Sequence, residues 1–359
     1  MGEDAAAPAP LVAVVVRTKD RPLFLSRALG SISAQTFGDY EVVIVNDGGD
    51  PQAVEQVLAA QPATLRDRTS VIHNPSATGR WPAANAGVSA STAPLLTLHD
   101  DDDSWHPDFL TETVAYLQAH PDDHAALVRT EVVHERWEGD TAVRTGGYLL
   151  EEHNPEVLLS DLLDFNRFVP ISFLYRRSLH DRLGLYDASL PAAADWAFNL
   201  QILQLGPVPY ASDRVLAYWN QRLEERGVLG NSVFAAPRDH WIADGRHRDE
   251  ALRAFVDQYG TGLPLYLSRV TEKRHRKIRG EISDAVQSID RTVREGLDGV
   301  AEEQRISREQ SDARIDALEA TIGELRAHLD RTMDARIRGF VWRRKQWVRG
   351  LRRRGDGDR

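Results

Sequence analysis

A mostly parallel α/β sheet flanked by helices and followed by a long helical coiled coil is the fold this sequence predicts, on three observations. Short β-branched runs alternate with helix-spaced segments over the first hundred residues, and such alternation implies right-handed crossovers and a parallel sheet. The runs end in polar clusters, which in sheets of this kind is where ligands bind. After Thr271 the chain becomes long, charged and nearly free of Gly and Pro, with apolar residues close to heptad spacing.

The elements follow in order. Leu11 to Val16 is a short β-rich run, and Pro22 to Gln35 continues with helical spacing through Leu25, Leu29 and Ile32. Glu41 to Val45 repeats the pattern and ends in Asn46-Asp47-Gly48-Gly49, before a helix from Pro51 to Ala60. Val71-Ile72 and Leu95 to Leu98 read as two more buried strands, separated by a helix around Pro82 to Ser89. Further on, Leu127 to Val133 and Ile171 to Tyr175 are strand-like, Val157 to Leu163 and Asp195 to Leu205 helical, and Val208 to Tyr210 and Val215 to Trp219 short closing strands. Trp241 to Tyr259 is the last helix of the globular part.

The chain thus divides into a floppy N-terminus (1–10), a catalytic-type domain (11–262), a coiled-coil helix (271–335) and a basic amphipathic tail (336–359). In the coiled coil Val286, Ile289, Val293 and Val300 approximate one heptad seam, and Ile315, Leu318, Ile322, Leu325 and Leu329 make a second. The step between them is one residue more than two heptads, which predicts a slip or a loosened polar stretch near Glu302 to Asp312. A seam of this kind predicts a homo-oligomer.

Composition narrows the function classes. The absence of cysteine removes disulfides, thiolate metal sites and a thiol nucleophile. A net charge of −10 argues against nucleic-acid binding by the whole chain. The tail is the exception: ten Lys or Arg against two Asp give it a charge of +8 and leave −18 on residues 1–335. Interleaved with apolar residues, those cations predict a peripheral contact with anionic lipid. No apolar run approaches the roughly 20 residues that span a bilayer, and the N-terminus lacks the features of a signal peptide. The expected location is cytoplasmic, with peripheral attachment at the inner face of the plasma membrane.

The most informative motif is His99-Asp100-Asp101-Asp102-Asp103-Ser104-Trp105, directly after the apolar run Leu95 to Leu98. Adjacent carboxylates repel one another, so a row of them at a strand end fits a site that binds something positive. Hard cations such as Mg²⁺ and Mn²⁺ prefer oxygen ligands and keep positions open for water and phosphate. The alternative is a solvated acidic turn, with Asp103 or Ser104 capping the next helix. His99, a lone imidazole at a strand end, reads as structural.

Residues 11 to about 232 resemble the family 2 glycosyltransferases, inverting enzymes of GT-A fold that use nucleotide-activated sugars. The resemblance rests on Val12 to Pro22, on Ser33-Ala34-Gln35-Thr36-Phe37 through Gly49, on the Asp-rich run with Trp105-His106-Pro107, and on Asp195-Trp196. By position it implies that Thr18 and Asp20 face the nucleotide and that Asp47 accepts a hydrogen bond from a pyrimidine ring nitrogen. In the same frame Asp102 is the direct ligand of a Mn²⁺ or Mg²⁺ ion, and Asp100 reaches the ribose or the metal. Asp101 belongs to the same nucleotide-sugar site. The segment Ala77 to Gly87 resembles a loop around the nucleotide, with Ala84 where the family has Arg, Asn85 following it, and Arg80 placed to supply the missing charge. Asp195 matches the second acid of the family pair and is implied as the base, while the first acid is Ala194 here. Tyr218 to Arg222 and Gly230-Asn231-Ser232 resemble a closing loop, where Arg222 or Arg226 is either a phosphate contact or surface charge.

The expected function is metal-dependent inverting transfer of a hexosyl or deoxyhexosyl group from a UDP- or dTDP-sugar to a hydroxyl of a surface glycan or lipid-linked precursor. The same topology serves sugar nucleotidyltransfer, but the Gly-rich, Arg/Lys-bearing N-terminal loop of such enzymes is missing. A third reading, favoured by Ala84 and Ala194, is an inactive sugar-nucleotide-binding domain on an oligomeric scaffold.

Overall fold

The structure is a computed structural model that describes residues 9–151, 154–190, 192–222 and 237–354. The chain forms two compact units, Met1–Gln258 and Tyr259–Arg359.

In the first unit, strands β1 (Val12–Thr18), β2 (Tyr40–Asp47), β3 (Thr69–Asn74) and β4 (Leu95–Asp100) pair in parallel in the order β3-β2-β1-β4. Every residue of β1 is buried, because the sheet is covered on both faces. One face packs under α1 (Pro22–Ser33), α2 (Pro51–Ala59) and, beyond β5 (Ser104–Trp105), α5 (Phe109–Ala119). The other packs under α4 (Arg80–Ala90), which follows the short α3 (Ala63–Arg66). α4 approaches closely at Gly87, where a Cβ would fall 2.3 Å from Val15 Cγ1. Two helix starts have visible causes: Pro22 opens α1, and the Asp50 carboxylate accepts from Gln52 N at 2.9 Å to cap α2.

The second half of the sheet is largely antiparallel. Past β4 come β9 (Phe173–Arg176), β6 (Ala125–Glu138), β10 (Val208–Gln221) and β5, with only the β6/β10 pair parallel; β7 (Thr141–Leu150) lies off β6 and β8 (Glu156–Val157) off β10. The segment expected to be one helix from Val157 to Leu163 is divided between β8 and a single turn, α6 (Leu159–Leu162). The two expected closing strands are one strand, β10, carrying register shifts between Tyr210 and Ala217. α7 (Ser178–Leu183) and α8 (Ala194–Leu203) follow β9, and α8 buries Trp196, Phe198 and Leu200 in the same core as α4. The unit closes on α9 (Pro237–Tyr259).

The Gln35-Thr36 pair fixes the acidic loop from outside. Gln35 donates to His106 O at 2.9 Å and accepts from Leu110 N, while Thr36 N donates to Pro107 O. That explains why the two motifs occur together.

The second unit is dominated by α10 (Gly262–Arg354), 93 residues long. It runs unbroken through Glu302 to Asp312, so the expected loosening is not a break in the helix. No helix among the described residues is long and apolar enough to cross a membrane. Residues 1–8 of the N-terminal stretch, Arg226, Gly230-Asn231-Ser232 and the last five residues of the tail lie outside the described residues.

Candidate active site

The carboxyl ends of β1, β2 and β4 converge on a cleft of about 590 Å³ lined by Arg17, Thr18, Lys19, Asp20, Arg21, Asp47, Arg80, Ala83 and Asp100 to Asp102. Asp47 sits on a turn that needs glycine next to it: Gly48 has φ 77°, and a Cβ there would lie 2.3 Å from Ala77 N. Its Oδ1 accepts from Asn74 Nδ2 (2.9 Å), Thr78 N (2.8 Å) and Thr78 Oγ1 (2.7 Å), and its Oδ2 from Gly79 N (2.9 Å). Burial pushes its pKa up, but these donors outweigh burial and hold the carboxyl below its usual range. Oδ1 is fully engaged by the loop, whereas the second acceptor site of Oδ2 has no donor among these contacts. Asp20 has φ 53° and accepts from Asp50 N at 3.1 Å, which joins the first loop to the start of α2.

The acidic run is compensated residue by residue. Asp100 pairs with Arg17, which also stacks over Trp81 at 5.0 Å. Asp101 accepts from Thr18 Oγ1 at 2.7 Å and faces Arg21 at 3.4 Å. Asp102 pairs with Arg21 at 3.3 Å and with the fully buried Arg222, whose other nitrogen bonds Glu135 at 2.8 Å. Asp103 accepts from Asn220 N at 3.0 Å. Arg27 joins Glu135 (2.7 Å) to the Asp102 carbonyl. Arg222, read from the sequence as a phosphate contact or surface charge, is instead fully buried and braces the acidic loop.

Like charges remain in excess nonetheless. Burial first, then the Asp102 charge, push Asp101 up to about 7, and burial, with Asp102 and Asp100, raises Asp103 well above the usual carboxylate value. Asp100 is held down despite its burial, because Arg17 and Arg80 face it. His99 is completely buried, edge-on to Trp105 at 4.5 Å, and burial drops its pKa to about 4. It is a neutral packing residue.

A second cleft, of about 430 Å³, shares part of its lining with the first. Arg17, Arg80, Asp100 and Asp102 line both clefts. The second adds aromatic walls, Trp81, Tyr148, Phe165, Trp196 and Trp219, and the carboxylate of Asp195. Asp195 is in the first turn of α8, whose N-cap is Ala193 at φ 65° with no side-chain cap bond. Its Oδ2 accepts from Asn166 Nδ2 at 3.0 Å, and Asn199 donates to Asn166 at 3.4 Å. Burial raises the Asp195 pKa, against the opposing charges of Arg80 and Arg17.

Thr18, Asp20, Asp47, Arg80, Asp100, Asp101 and Asp102 therefore come together at the first cleft, and Asp195 faces them from the second. Asn85 is placed elsewhere: both ends of its amide are bonded to the Tyr186 backbone, at 2.8 and 3.0 Å, and it lines neither cleft. Sequence reasoning missed Arg17, Arg21, Glu135, Asn166 and Asn220. Only the two arginines carried a signal, as cations within the Arg17-Thr18-Lys19-Asp20-Arg21 loop ahead of the acids.

The donor set fits a hard divalent cation. It is all oxygen, burial and the neighbouring Asp102 charge push Asp101 up to about 7, where a cation would favour its ionised form, and Asp100 and Asp102 border both clefts. No three His, Asp or Glu side chains converge as a ready cage among the described residues.

A sequence profile of "Glycosyl transferase family 2" matches residues 13–184. The uncharacterized glycosyltransferase YwdF of Bacillus subtilis is 30% identical over 277 residues, covering 76% of this chain and 94% of its own. A PGL/p-HBAD biosynthesis glycosyltransferase of Mycobacterium tuberculosis is 30% identical over 195 residues, 54% of this chain and 70% of that one. Among solved structures, S. aureus TarS 1-349 in complex with UDP-GlcNAc shares the fold at a TM-score of 0.50 and 20% identity, covering 65% of this chain and 64% of that one. The chain thus spans just under two thirds of that structure.

Proposed function

This chain belongs to glycosyl transferase family 2, and from that membership we propose that it transfers a sugar, with inversion, from a UDP- or dTDP-sugar to a hydroxyl of a surface glycan or lipid-linked precursor. The observation that carries this reading is the pair of clefts sharing one charged wall, with a buried, hydrogen-bonded carboxylate on the acceptor side. The mycobacterial relative is named for PGL/p-HBAD biosynthesis.

The nucleotide binds in the first cleft, where the open acceptor site of Asp47 Oδ2 takes the N–H of uracil or thymine. The diphosphate lies against Arg17 and Arg80, whose guanidinium groups oppose its growing charge as it leaves. The acceptor sugar packs on the aromatic walls of the second cleft. Asp195 takes the proton of the acceptor hydroxyl while that oxygen attacks the anomeric carbon from the side opposite the diphosphate. Asn166 holds the carboxylate in its ionised, correctly turned form. Asp102 and Asp100 would hold Mn²⁺ or Mg²⁺, which when bound neutralises charge on the leaving diphosphate.

The test is nucleotide release from a panel of nucleotide sugars, with Mn²⁺ or with EDTA, before and after adding glycan or glycolipid acceptors. Uridine or thymidine diphosphate should appear only with metal and faster with acceptor. Tight donor binding with no release from any donor would instead establish the inactive scaffold. The basic segment 336–359 would keep the enzyme beside a lipid-linked acceptor, and loss of flotation with phosphatidylglycerol vesicles on truncation after Asp334 checks that.

A further inference from the structure

Helix α10 carries a long apolar stripe that no described residue of its own unit covers. Ile278, Ile282 and Val286 are 49%, 58% and 59% exposed. At the same steps of four, four and three, Ile289, Val293 and Leu297 follow at 64%, 53% and 64%, and Val300 begins a third round at 52%. This is an eleven-residue repeat, which holds a stripe on one face of an almost straight helix with a weak right-handed supercoil. In that frame the extra residue between Val300 and Ile315 is not a slip. The stripe passes through Gln304, Arg308 and Ser311, three polar positions, and reaches Ile315 in phase. Leu318, Ile322, Leu325 and Leu329 then continue it at heptad spacing, all between 49% and 63% exposed.

We propose that this stripe is covered by a second copy of the same helix in parallel register, making the protein a dimer. Covering a dozen half-exposed large side chains removes on the order of 1,000 Å² per chain from water, more than the ~800 Å² per partner of a standard stable interface. In the heptad section Ile315 and Ile322 occupy a positions and Leu318 and Leu325 occupy d positions, the arrangement that favours two parallel strands. Parallel register also sets Arg314, a g position, against the partner's Glu319 at e, an attractive pair. Gln304 meets the partner's Gln304 across the seam, a polar layer that fixes register at some cost in stability.

The competing arrangement is antiparallel, because the stripe is nearly palindromic about the Ser307-Arg308 bond: Val300 mirrors Ile315, Leu297 mirrors Leu318 and Val293 mirrors Ile322. It forfeits the Arg314 pair.

The chain has no cysteine, so single substitutions report on register without further engineering. Light scattering on the unaltered full chain at about 10 μM should give twice the mass of one chain. Under mild oxidation Ile289→Cys and Leu318→Cys should each cross-link to themselves as covalent dimers. A monomeric mass for the unaltered chain overturns the proposal whatever the variants do. So does cross-linking of a Val293→Cys and Ile322→Cys mixture when neither variant cross-links alone, since that marks an antiparallel pair.

Discussion

The two clefts share a wall and differ in almost everything else. The first is built from charge: carboxylates and guanidinium groups at the ends of parallel strands, each held by named partners. The second is built from aromatic surface around one buried acid. A diphosphate is fixed by ionic groups and tolerates little displacement, whereas a sugar ring is bound by stacking that adapts. The sequence departures from the family follow the same division. Ala84, buried within α4, and Ala194, buried at the start of α8, replace charged residues, yet Arg80 and Asp195 keep a charge facing each cleft.

The largest effect should come from breaking the acid of the second cleft. Asp195→Asn should lower transfer by about 10² to 10⁴, the usual contribution of a positioned base, with donor affinity by calorimetry nearly unchanged. Transfer surviving within a few-fold would remove Asp195 from the chemistry.

Asp102→Asn should act on the first cleft in two ways. Turnover and metal-dependent donor binding should both fall. The thermal transition should also drop, because the buried Arg222 loses a partner; the cost is about 3 kcal/mol, the low end for a broken buried pair, since Glu135 still bonds the guanidinium. Unchanged stability with lost turnover would mean that Arg222 does not depend on Asp102.

A smaller effect separates stacking from charge. Phe165→Ala or Tyr148→Ala should raise the acceptor KM roughly fivefold through lost aromatic contact, leaving the donor KM alone. An equal rise in both would undo the assignment of cleft to substrate.

Two pH effects are the finest test. As the proposed base, Asp195 would have to be ionised, and burial raises its pKa, so activity should fall on the acid side at a pH above the ordinary carboxylate value. Asn166→Leu removes a donor to the ionised form and should move that limb to still higher pH; an unmoved limb would show that the amide only packs. Asp47 runs the other way. Its folded pKa is depressed, so its stabilisation is full above the unfolded value and is lost as pH falls through the folded one. Asp47→Asn should destabilise by about 1–3 kcal/mol near neutral pH and by progressively less in acid, as followed by urea denaturation at several pH values.

The parallel half of the sheet was legible because buried strands such as Val12–Thr18 are apolar on both faces and end abruptly in polar residues. β7 was not, since its pattern is weak and partly exposed and it contains Gly146-Gly147. The acids were legible as a run. Their supports were not: Asp102 meets Arg222 across 120 positions and Asp195 meets Asn166 across 29, and no local period records a contact of that kind. The eleven-residue stripe was readable in principle, but a heptad frame passes over Leu297 by placing Gly296 in the seam.

One side chain links the two clefts mechanically. The Asp47 carboxylate holds Thr78 and Gly79, and the next residue, Arg80, starts α4 and borders both clefts. A nucleobase bound at Oδ2, as proposed, would therefore act on a backbone anchored one and two residues before that guanidinium. In the proposed reading such a tether would favour donor before acceptor, with Arg80 as the coupling residue, and initial-rate kinetics with product inhibition would read that order.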